Sequence, residues 1–197
     1  MRLVFVLLLI CGFVAACPSI SAASSSGARR QLAAAIEASA SAPSVVVTET
    51  CCAERGDSGS RYVYQAPDVE AYIPGPMSDS PRWVWDHGRI LQETVPGSGI
   101  YQYVSNPFDA PMSRALLASI RAAKSISRAR GAHVPGEDRF RTVADRQSKF
   151  LQGPGPETGV IVVRNGLVVR IELAHPTGKA VFELSQYGTA PPVVVPK

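Results

Sequence analysis

Apolar and polar residues alternate in short runs along much of the chain, which is typical of β-strands that bury one face. The first such run, Ser44 to Cys52, is rich in Val and Thr, and the last extends from Ala180 to Ser185. Turns that contain Gly and Pro separate the runs. Residues 139–144 fit either a short extended segment or part of a loop. The pattern therefore predicts about eight strands joined by short turns.

Two segments change to a helical period. In Arg29–Ser41, Leu32, Ile36 and Ala40 recur every four residues. Between positions 113 and 129 the apolar residues follow a repeat close to 3.6, and arginines occupy another face. We expect one helix before the first strand and a second between strands, with the arginine face in solvent or against anionic head groups. These arginines are Arg114, Arg121, Arg128 and the adjoining Arg130.

Two dipeptides predict tight hairpins and therefore the direction of strand pairing. Asn165-Gly166 separates two alternating runs, and His87-Gly88 separates two others. Strands joined by hairpins pair antiparallel, and a single sheet of this size must curl or close. The expected fold class is therefore α+β, a single curved antiparallel β-sheet (a half-barrel) with helices covering the concave face.

The N-terminus has the anatomy of an export signal. One basic residue, Arg2, precedes an apolar run at positions 3–13, and the small residues Ala15 and Ala16 precede Cys17. Small residues before a cysteine resemble the bacterial lipobox, in which the cysteine becomes the first residue and its sulfur carries diacylglycerol. We expect a signal peptide at 1–16, a flexible tether at 17–28 and one folded domain at 29–197.

Lipidation at Cys17 predicts a protein held on the extracytoplasmic face of the cell membrane by its acyl chains. Two alternatives stay open. Cleavage after Ser21-Ala22-Ala23 would release a secreted protein, and the apolar segment could instead remain as an uncleaved anchor.

Composition excludes several classes of function. Lys and Arg outnumber Asp and Glu by 20 to 16, and the resulting charge of +4 is spread along the 197 residues rather than clustered as in nucleic-acid-binding proteins. Hydrophobic residues make up 46%, which is enough to fill a core. Paired carboxylates, metal-ligand spacing and phosphate-binding loops are missing from the sequence. We expect no nucleic-acid partner, no metal, no cofactor and no enzymatic activity.

One phrase resembles a catalytic motif without its context. Gly56-Asp57-Ser58-Gly59 matches the residues around the nucleophile of chymotrypsin-like proteases. A nucleophilic serine needs a histidine base and an orienting aspartate, and none of the three histidines stands in a phrase resembling that family. The segment is better interpreted as a turn.

The adjacent Cys51 and Cys52 are the two cysteines that follow the proposed lipid site. Neighbours in a strand point to opposite faces, so we expect two small, semi-buried thiols at the end of a strand. A vicinal disulfide or an intermolecular bridge stays open as an alternative in an exported protein.

The order of motifs resembles one known family. After the lipobox and the Ala-rich helix come residues 62–68 (YVYQAPD), and later the Asn165-Gly166 hairpin and residues 184–188 (LSQYG), with Pro192 and Pro196 beyond. In this order the chain is similar to the LppX/LprG-type actinobacterial lipoproteins, which share a half-barrel with the LolA/LolB lipoprotein carriers. The resemblance implies a curved sheet around a hydrophobic cavity, in a protein that binds or carries lipids or lipoglycans across the envelope.

Alternation places apolar side chains on shared faces that are suited to line such a cavity. The candidates are Tyr62, Tyr64, Trp83, Trp85, Leu116, Ile120, Leu167, Val169 and Ile171. The same faces are equally suited to pack a filled core against the two helices. In that case the protein is an envelope scaffold or interaction module with no lipid ligand, whose protein partner the sequence does not identify.

Overall fold

The computed structural model describes residues 20–51, 59–76, 78–105, 109–129, 134–144, 156–175 and 178–196. They form two helices and eleven strands. In chain order these are α1 (Ile20–Ala40), β1 (Ser44–Cys51), β2 (Ser60–Gln65), β3 (Val69–Ile73), β4 (Trp83–Asp86), β5 (Arg89–Glu93), β6 (Tyr101–Val104), α2 (Met112–Arg121), β7 (Ser125–Arg128), β8 (Glu137–Ala144), β9 (Glu157–Arg164), β10 (Leu167–His175) and β11 (Gly178–Ser185).

The strands form one open antiparallel sheet in which the chain is arranged as two halves. Strands β1 to β6 follow one another from the centre of the sheet to one edge. Strands β7 to β11 follow one another from the opposite edge back to the centre, where β11 pairs with β1. Helix α2 lies in the connection between the two edge strands, β6 and β7. The sheet and helices make an α+β curved half-barrel, so the predicted fold class is confirmed.

Both predicted hairpin turns are present, and their backbone shows why these residues were the correct signal. His87 and Gly88 have φ values of 47° and 85°, and Asn165 and Gly166 have φ values of 52° and 76°. Positive φ at both central positions is the type I′ geometry, whose twist matches that of the flanking strands. Glycine adopts this conformation without steric cost, and asparagine tolerates it better than most residues.

The first helix is longer than the sequence predicts. It begins at Ile20, so positions 20–28, which were expected to belong to a flexible tether, are helical. Alanine and serine in this segment are compatible with a helix, and Ala28 is buried in the hydrophobic core. Burial of that methyl group against the sheet is a tertiary contact that the local pattern does not reveal.

The second helix is shorter than predicted. It ends at Arg121, and the segment from Ser125 to Arg128 is the edge strand β7 rather than a continuation of the helix to residue 129. Ile126 fits a helical repeat and also the alternation of a strand. Its backbone pairs with Thr142 of β8, so hydrogen bonding to the sheet decided between the two periods.

The hydrophobic core lies between the two helices and one face of the sheet. Helix α1 packs on β7 and β10, and α2 packs on β2 and on α1. Leu32 and Ile36 from α1, together with Leu116 and Ile120 from α2, are buried against the sheet. The sheet contributes Val45, Val47, Tyr62, Tyr64, Ile126, Phe140, Ile161, Val163, Val168, Ile171, Leu173, Ala180, Phe182 and Leu184.

A register shift in β10 corrects one part of the predicted inward face. The pairing of β10 with β9 is irregular between Val168 and Arg170. Val168 is fully buried in the core, whereas Leu167 and Val169 are only partly buried and lie outside it. The prediction that Leu167 and Val169 share the inward face with Ile171 is therefore wrong, because a β-bulge interrupts the alternation on which it was based.

The C-terminal tail runs along the end of β1 and β2, as its proline content predicts for a segment that lies on the surface. The backbone N–H of Ala190 donates to the hydroxyl of Ser44 at 3.2 Å, and that of Val193 donates to the side-chain oxygen of Gln65 at 3.0 Å. Within the described residues, no helix is both long and apolar enough to cross a membrane.

Candidate functional site

The helix-covered face of the sheet brings together most of the residues singled out from the sequence. Tyr64, Leu116, Ile120 and Ile171 are almost completely buried in the core. Tyr62 belongs to the same core at 8% exposure, and Trp83 packs against the core while remaining partly exposed. Trp85 is buried but lies outside the main core cluster. These residues therefore occupy different parts of one face, and Trp83 among them reaches its solvent-accessible border.

Tyr62, Tyr72 and Trp83 form what we call the aromatic cluster. The rings of Tyr72 and Trp83 are stacked, with centroids 5.4 Å apart and planes inclined by 16°. The ring of Tyr62 lies 5.1 Å from Tyr72 and 6.0 Å from Trp83. These residues stand opposite one another in the register of β2, β3 and β4. The cluster is a partly exposed aromatic surface that continues directly into the buried core.

Polar groups hold the phenols of the aromatic cluster. The hydroxyl of Tyr62 donates to Glu49 at 3.1 Å, and the hydroxyls of Tyr72 and Ser60 lie within hydrogen-bonding distance at 3.3 Å. Burial, followed by the charge and hydrogen bond of Glu49, raises the pKa of Tyr62 above its ordinary value. The phenol therefore stays protonated as a donor, and Glu49 places a carboxylate at the border of an apolar surface.

A buried carboxylate, Glu70, fastens the start of α2 to the sheet. Its two oxygens accept the backbone N–H groups of Met112 at 2.6 Å and Ser113 at 3.0 Å. These groups belong to the first turn of the helix and have no partner within it. Burial raises the pKa of Glu70, and the hydrogen bonds from Ser113 and Met112 act in the opposite direction. The first residue before α2 is Pro111, which supplies no side-chain cap, so Glu70 acts as the cap from a distance.

Arg114 contacts the sheet and is only partly exposed to solvent. Its guanidinium donates to the hydroxyl of Tyr64 at 2.6 Å and stands 4.8 Å from the centroid of the same ring. The expectation of a wholly solvated arginine face on α2 is therefore wrong at this position. Arg128 is also misassigned, since it belongs to β7, where it pairs with Asp138 at 2.8 Å. Arg114, through Tyr64 of β2, and Glu70 of β3 together hold the N-terminal turn of α2 against these two strands.

Sequence reasoning missed Glu49, Glu70, Tyr72 and Arg114 as parts of this face. Alternation alone places Glu70 and Tyr72 on the same side of β3, and this signal was available. What was not available is the register that sets Tyr72 between Tyr62 and Trp83. That register follows from the pairing of three strands, which no local pattern specifies.

Several residues considered from the sequence lie outside the described residues. They are Cys17, Cys52, the Gly56–Ser58 portion of the protease-like phrase, Arg130 and His133. His87 is an exposed turn residue that contacts Asp86 at 2.7 Å. Within the part of the chain that the structure describes, no group of three His, Cys, Asp or Glu side chains is arranged to hold a metal ion.

The architecture places the chain in a class defined by fold, the one-sheet half-barrels with helices on the concave face. Comparison with known protein families gives no match, and comparison with curated sequences gives none either. Among solved structures the chain is similar to LprF from Mycobacterium bovis, with a TM-score of 0.58 and 16% identity over 88% of this chain and 98% of that chain.

It is also similar to the lipoprotein LppX from Mycobacterium tuberculosis, with a TM-score of 0.59 and 11% identity over 87% of this chain and all (100%) of that chain. The resemblance to the LppX/LprG-type proteins is therefore confirmed for the fold. At these identities the similarity concerns the architecture and does not transfer individual residues.

Proposed function

We propose that the protein is a non-enzymatic lipoprotein of the cell envelope that binds or carries lipids or lipoglycans on the concave face of its sheet. The observation that carries the proposal is the aromatic cluster, a partly exposed apolar surface that continues into the core beneath two helices. The similarity of the fold to LprF and to the lipoprotein LppX supports the same class of function.

The chemistry of acyl-chain binding fits this surface. An acyl chain needs a dry apolar wall and gains about 0.8 kcal/mol for each CH₂ group that leaves water. The stacked rings of Tyr72 and Trp83 offer such a wall at the border of the core. Glu49 and the phenol of Tyr62 stand beside it as polar groups for the oxygen-rich end of a lipid. A mostly apolar lining with a few polar groups at one end is common in sites that bind small molecules.

A second function, that of an envelope scaffold or interaction module, is supported by the packing of the same face. The same face carries a well-packed core in which Leu116, Ile120 and Ile171 are 0–2% exposed. A face that is filled by its own side chains suits a scaffold or interaction module of the envelope without a lipid ligand. Lipid extraction and native mass spectrometry of the purified protein distinguish the two functions, since a scaffold would be recovered empty.

The two tryptophans allow a direct test, because the chain has only these two. In the Trp85→Phe variant, Trp83 is the single tryptophan and reports from the aromatic cluster. We expect a brominated long-chain fatty acid to quench its fluorescence in a saturable way, since bromine quenches on close approach and Trp83 would contact the acyl chain. Fluorescence titration, with the unbrominated fatty acid as the reference, measures the effect.

Two controls make this titration decisive. Trp83→Ala removes the fluorescent reporter, so its affinity is measured by isothermal titration calorimetry, and it should weaken binding about tenfold, which corresponds to the loss of about 1.4 kcal/mol of apolar contact. Tyr103→Ala removes an aromatic side chain that is 63% exposed on β6 and should leave binding unchanged. Absence of saturable quenching at Trp83, together with empty native protein, would contradict lipid binding and favour the scaffold.

Anchoring is part of the same proposal and rests on the lipobox at Cys17. Cells fed a clickable fatty acid such as an alkyne-labelled palmitate should produce labelled protein in the membrane fraction, with the folded domain on the extracytoplasmic side. Cys17→Ala should lose the label and move to the soluble extracytoplasmic fraction, while Cys11→Ala, inside the predicted leader, should keep it. Equal labelling of wild type and Cys17→Ala would refute the anchor.

A further inference from the structure

The large hydrophobic side chains that are exposed in the described residues are unevenly distributed. Five are exposed, and three of them belong to the hairpin of β5 and β6: Val95 at 61%, Ile100 at 64% and Tyr103 at 63%. The other two, Val134 and Val194, lie in separate parts of the chain. We refer to residues 94–100, which join β5 to β6, as the hairpin tip. Isolated exposed hydrophobic residues are ordinary, but a concentration at one exposed hairpin indicates contact with something apolar.

Hydrogen bonds fix the backbone of the hairpin tip in a conformation that leaves the side chains of Val95 and Ile100 exposed. Glu93, which is 3% exposed, accepts the backbone N–H of Gly99 at 2.7 Å. The N–H of Thr94 donates to the carbonyl of Ile100 at 2.8 Å, and that of Ser98 donates to Val95 at 3.0 Å. Hydrogen bonds from the tip, first that of Gly99, also hold the pKa of Glu93 below its ordinary value. The display of Val95 and Ile100 is therefore built into the turn.

The chemistry around the tip suits a lipid bilayer better than a protein partner. The seven residues of the tip carry no charge. Their insertion into a bilayer therefore requires no desolvation of a charged side chain, and no negative charge on the tip repels anionic head groups. Tyr103 lies on the adjoining strand with the guanidinium of Arg89 5.4 Å from its ring centre. Aromatic and basic side chains of this kind prefer the head-group region of a membrane. Three exposed side chains on one hairpin also offer much less area than the roughly 800 Å² per partner of a stable protein interface.

We propose that the hairpin tip is a membrane-contact element, in which Val95 and Ile100 enter the interfacial region of a lipid bilayer and Tyr103 lies at the level of the head groups. This contact is separate from the aromatic cluster, since Tyr103 pairs with Leu91 on β5 whereas Trp83 pairs with Gln92. Adjacent positions of a strand point to opposite faces of the sheet. The tip would orient the half-barrel on the membrane whether or not the concave face holds a lipid.

The test uses the mature chain made without its acyl group, as Cys17→Ser, so that binding depends on the folded domain. Flotation with phosphatidylcholine vesicles, alone and with phosphatidylglycerol added, measures the partition of protein to lipid. The double variant Val95→Ser/Ile100→Ser should lower this partition about tenfold on both vesicle types, because apolar contact is removed. The matched control is Val194→Ser, which removes a valine that is 81% exposed elsewhere and should leave partition unchanged.

Further measurements separate the possible explanations. Thermal unfolding should be the same for wild type and the tip variant, since the replaced side chains are exposed. The tip variant should keep the bromolipid quenching of Trp83, so loss of vesicle binding and loss of ligand binding are distinguishable. Equal flotation of wild type and tip variant would overturn the proposal. So would a wild-type dimer in sedimentation that becomes monomeric in the tip variant, because that result makes the tip a contact between copies.

Discussion

Replacement of Glu70 by alanine is expected to lower the free energy of unfolding by about 2–4 kcal/mol. The change leaves the partly buried N–H group of Met112 and the buried N–H group of Ser113 without the carboxylate oxygens that accept them at 2.6 and 3.0 Å. It also removes the attachment between β3 and the first turn of α2. Chemical denaturation of wild type and Glu70→Ala, with equal slopes confirming two-state unfolding, measures the loss.

Glu70→Gln is the matched control, because it keeps the size of the side chain and one acceptor oxygen. It should lose less stability than Glu70→Ala. Since burial raises the pKa of Glu70, the folded state holds this proton more tightly than the unfolded state. The contribution of Glu70 to stability is then fully present below its unfolded pKa and declines as the pH rises through its folded pKa.

Comparison with Glu70→Gln isolates this pH dependence, since Glu93, Glu137 and Glu172 have lowered pKa values and contribute in the opposite direction in both proteins. The stability of wild type relative to Glu70→Gln should therefore decrease with rising pH. A constant difference between the two proteins from acid to neutral pH would contradict the raised pKa. Stability of Glu70→Ala equal to wild type would contradict the capping role.

The second large effect is expected at Gly159, on the inner face of β9. A Cβ at this position would lie 2.4 Å from the hydroxyl oxygen of Thr142 and 3.4 Å from a methyl carbon of Leu173. Thr142 is buried, and its β-branched side chain has few alternative rotamers. Gly159→Ala should therefore destabilise the protein by about 1–3 kcal/mol through overpacking. Thermal or chemical unfolding of the single variant measures this loss.

A double-mutant cycle attributes the effect to the contact with Thr142. Thr142→Ala removes the atom that collides with the new Cβ, so Gly159→Ala/Thr142→Ala should lose less stability than the sum of the two single variants. Such coupling is expected for residues in contact and not for independent sites. Purely additive losses would contradict the collision with Thr142, since the intrinsic preference of a strand favours alanine over glycine and cannot account for a loss.

Local sequence patterns were sufficient for the general architecture. Alternation identified β3 with the bounds of the structure, Val69–Ile73, and the Asn165-Gly166 turn identified the hairpin of β9 and β10. These features are local, because side-chain alternation and turn conformation depend on residues that are close in sequence. The helical period located both helices but not their ends, since the burial of Ala28 in the core and the pairing of Ile126 with β8 are tertiary contacts.

The candidate site likewise combines features set by the local sequence with features set by tertiary contacts. The sequence by itself determined that Tyr62, Trp83 and the leucines and isoleucines of the helices would supply an apolar face. Only the tertiary structure decided that Tyr72 completes the aromatic cluster, that Glu70 caps α2, and that a bulge turns Leu167 and Val169 out of the core. Each of these depends on strand register or on contacts between residues far apart in sequence, whose energies arise only after the chain has folded.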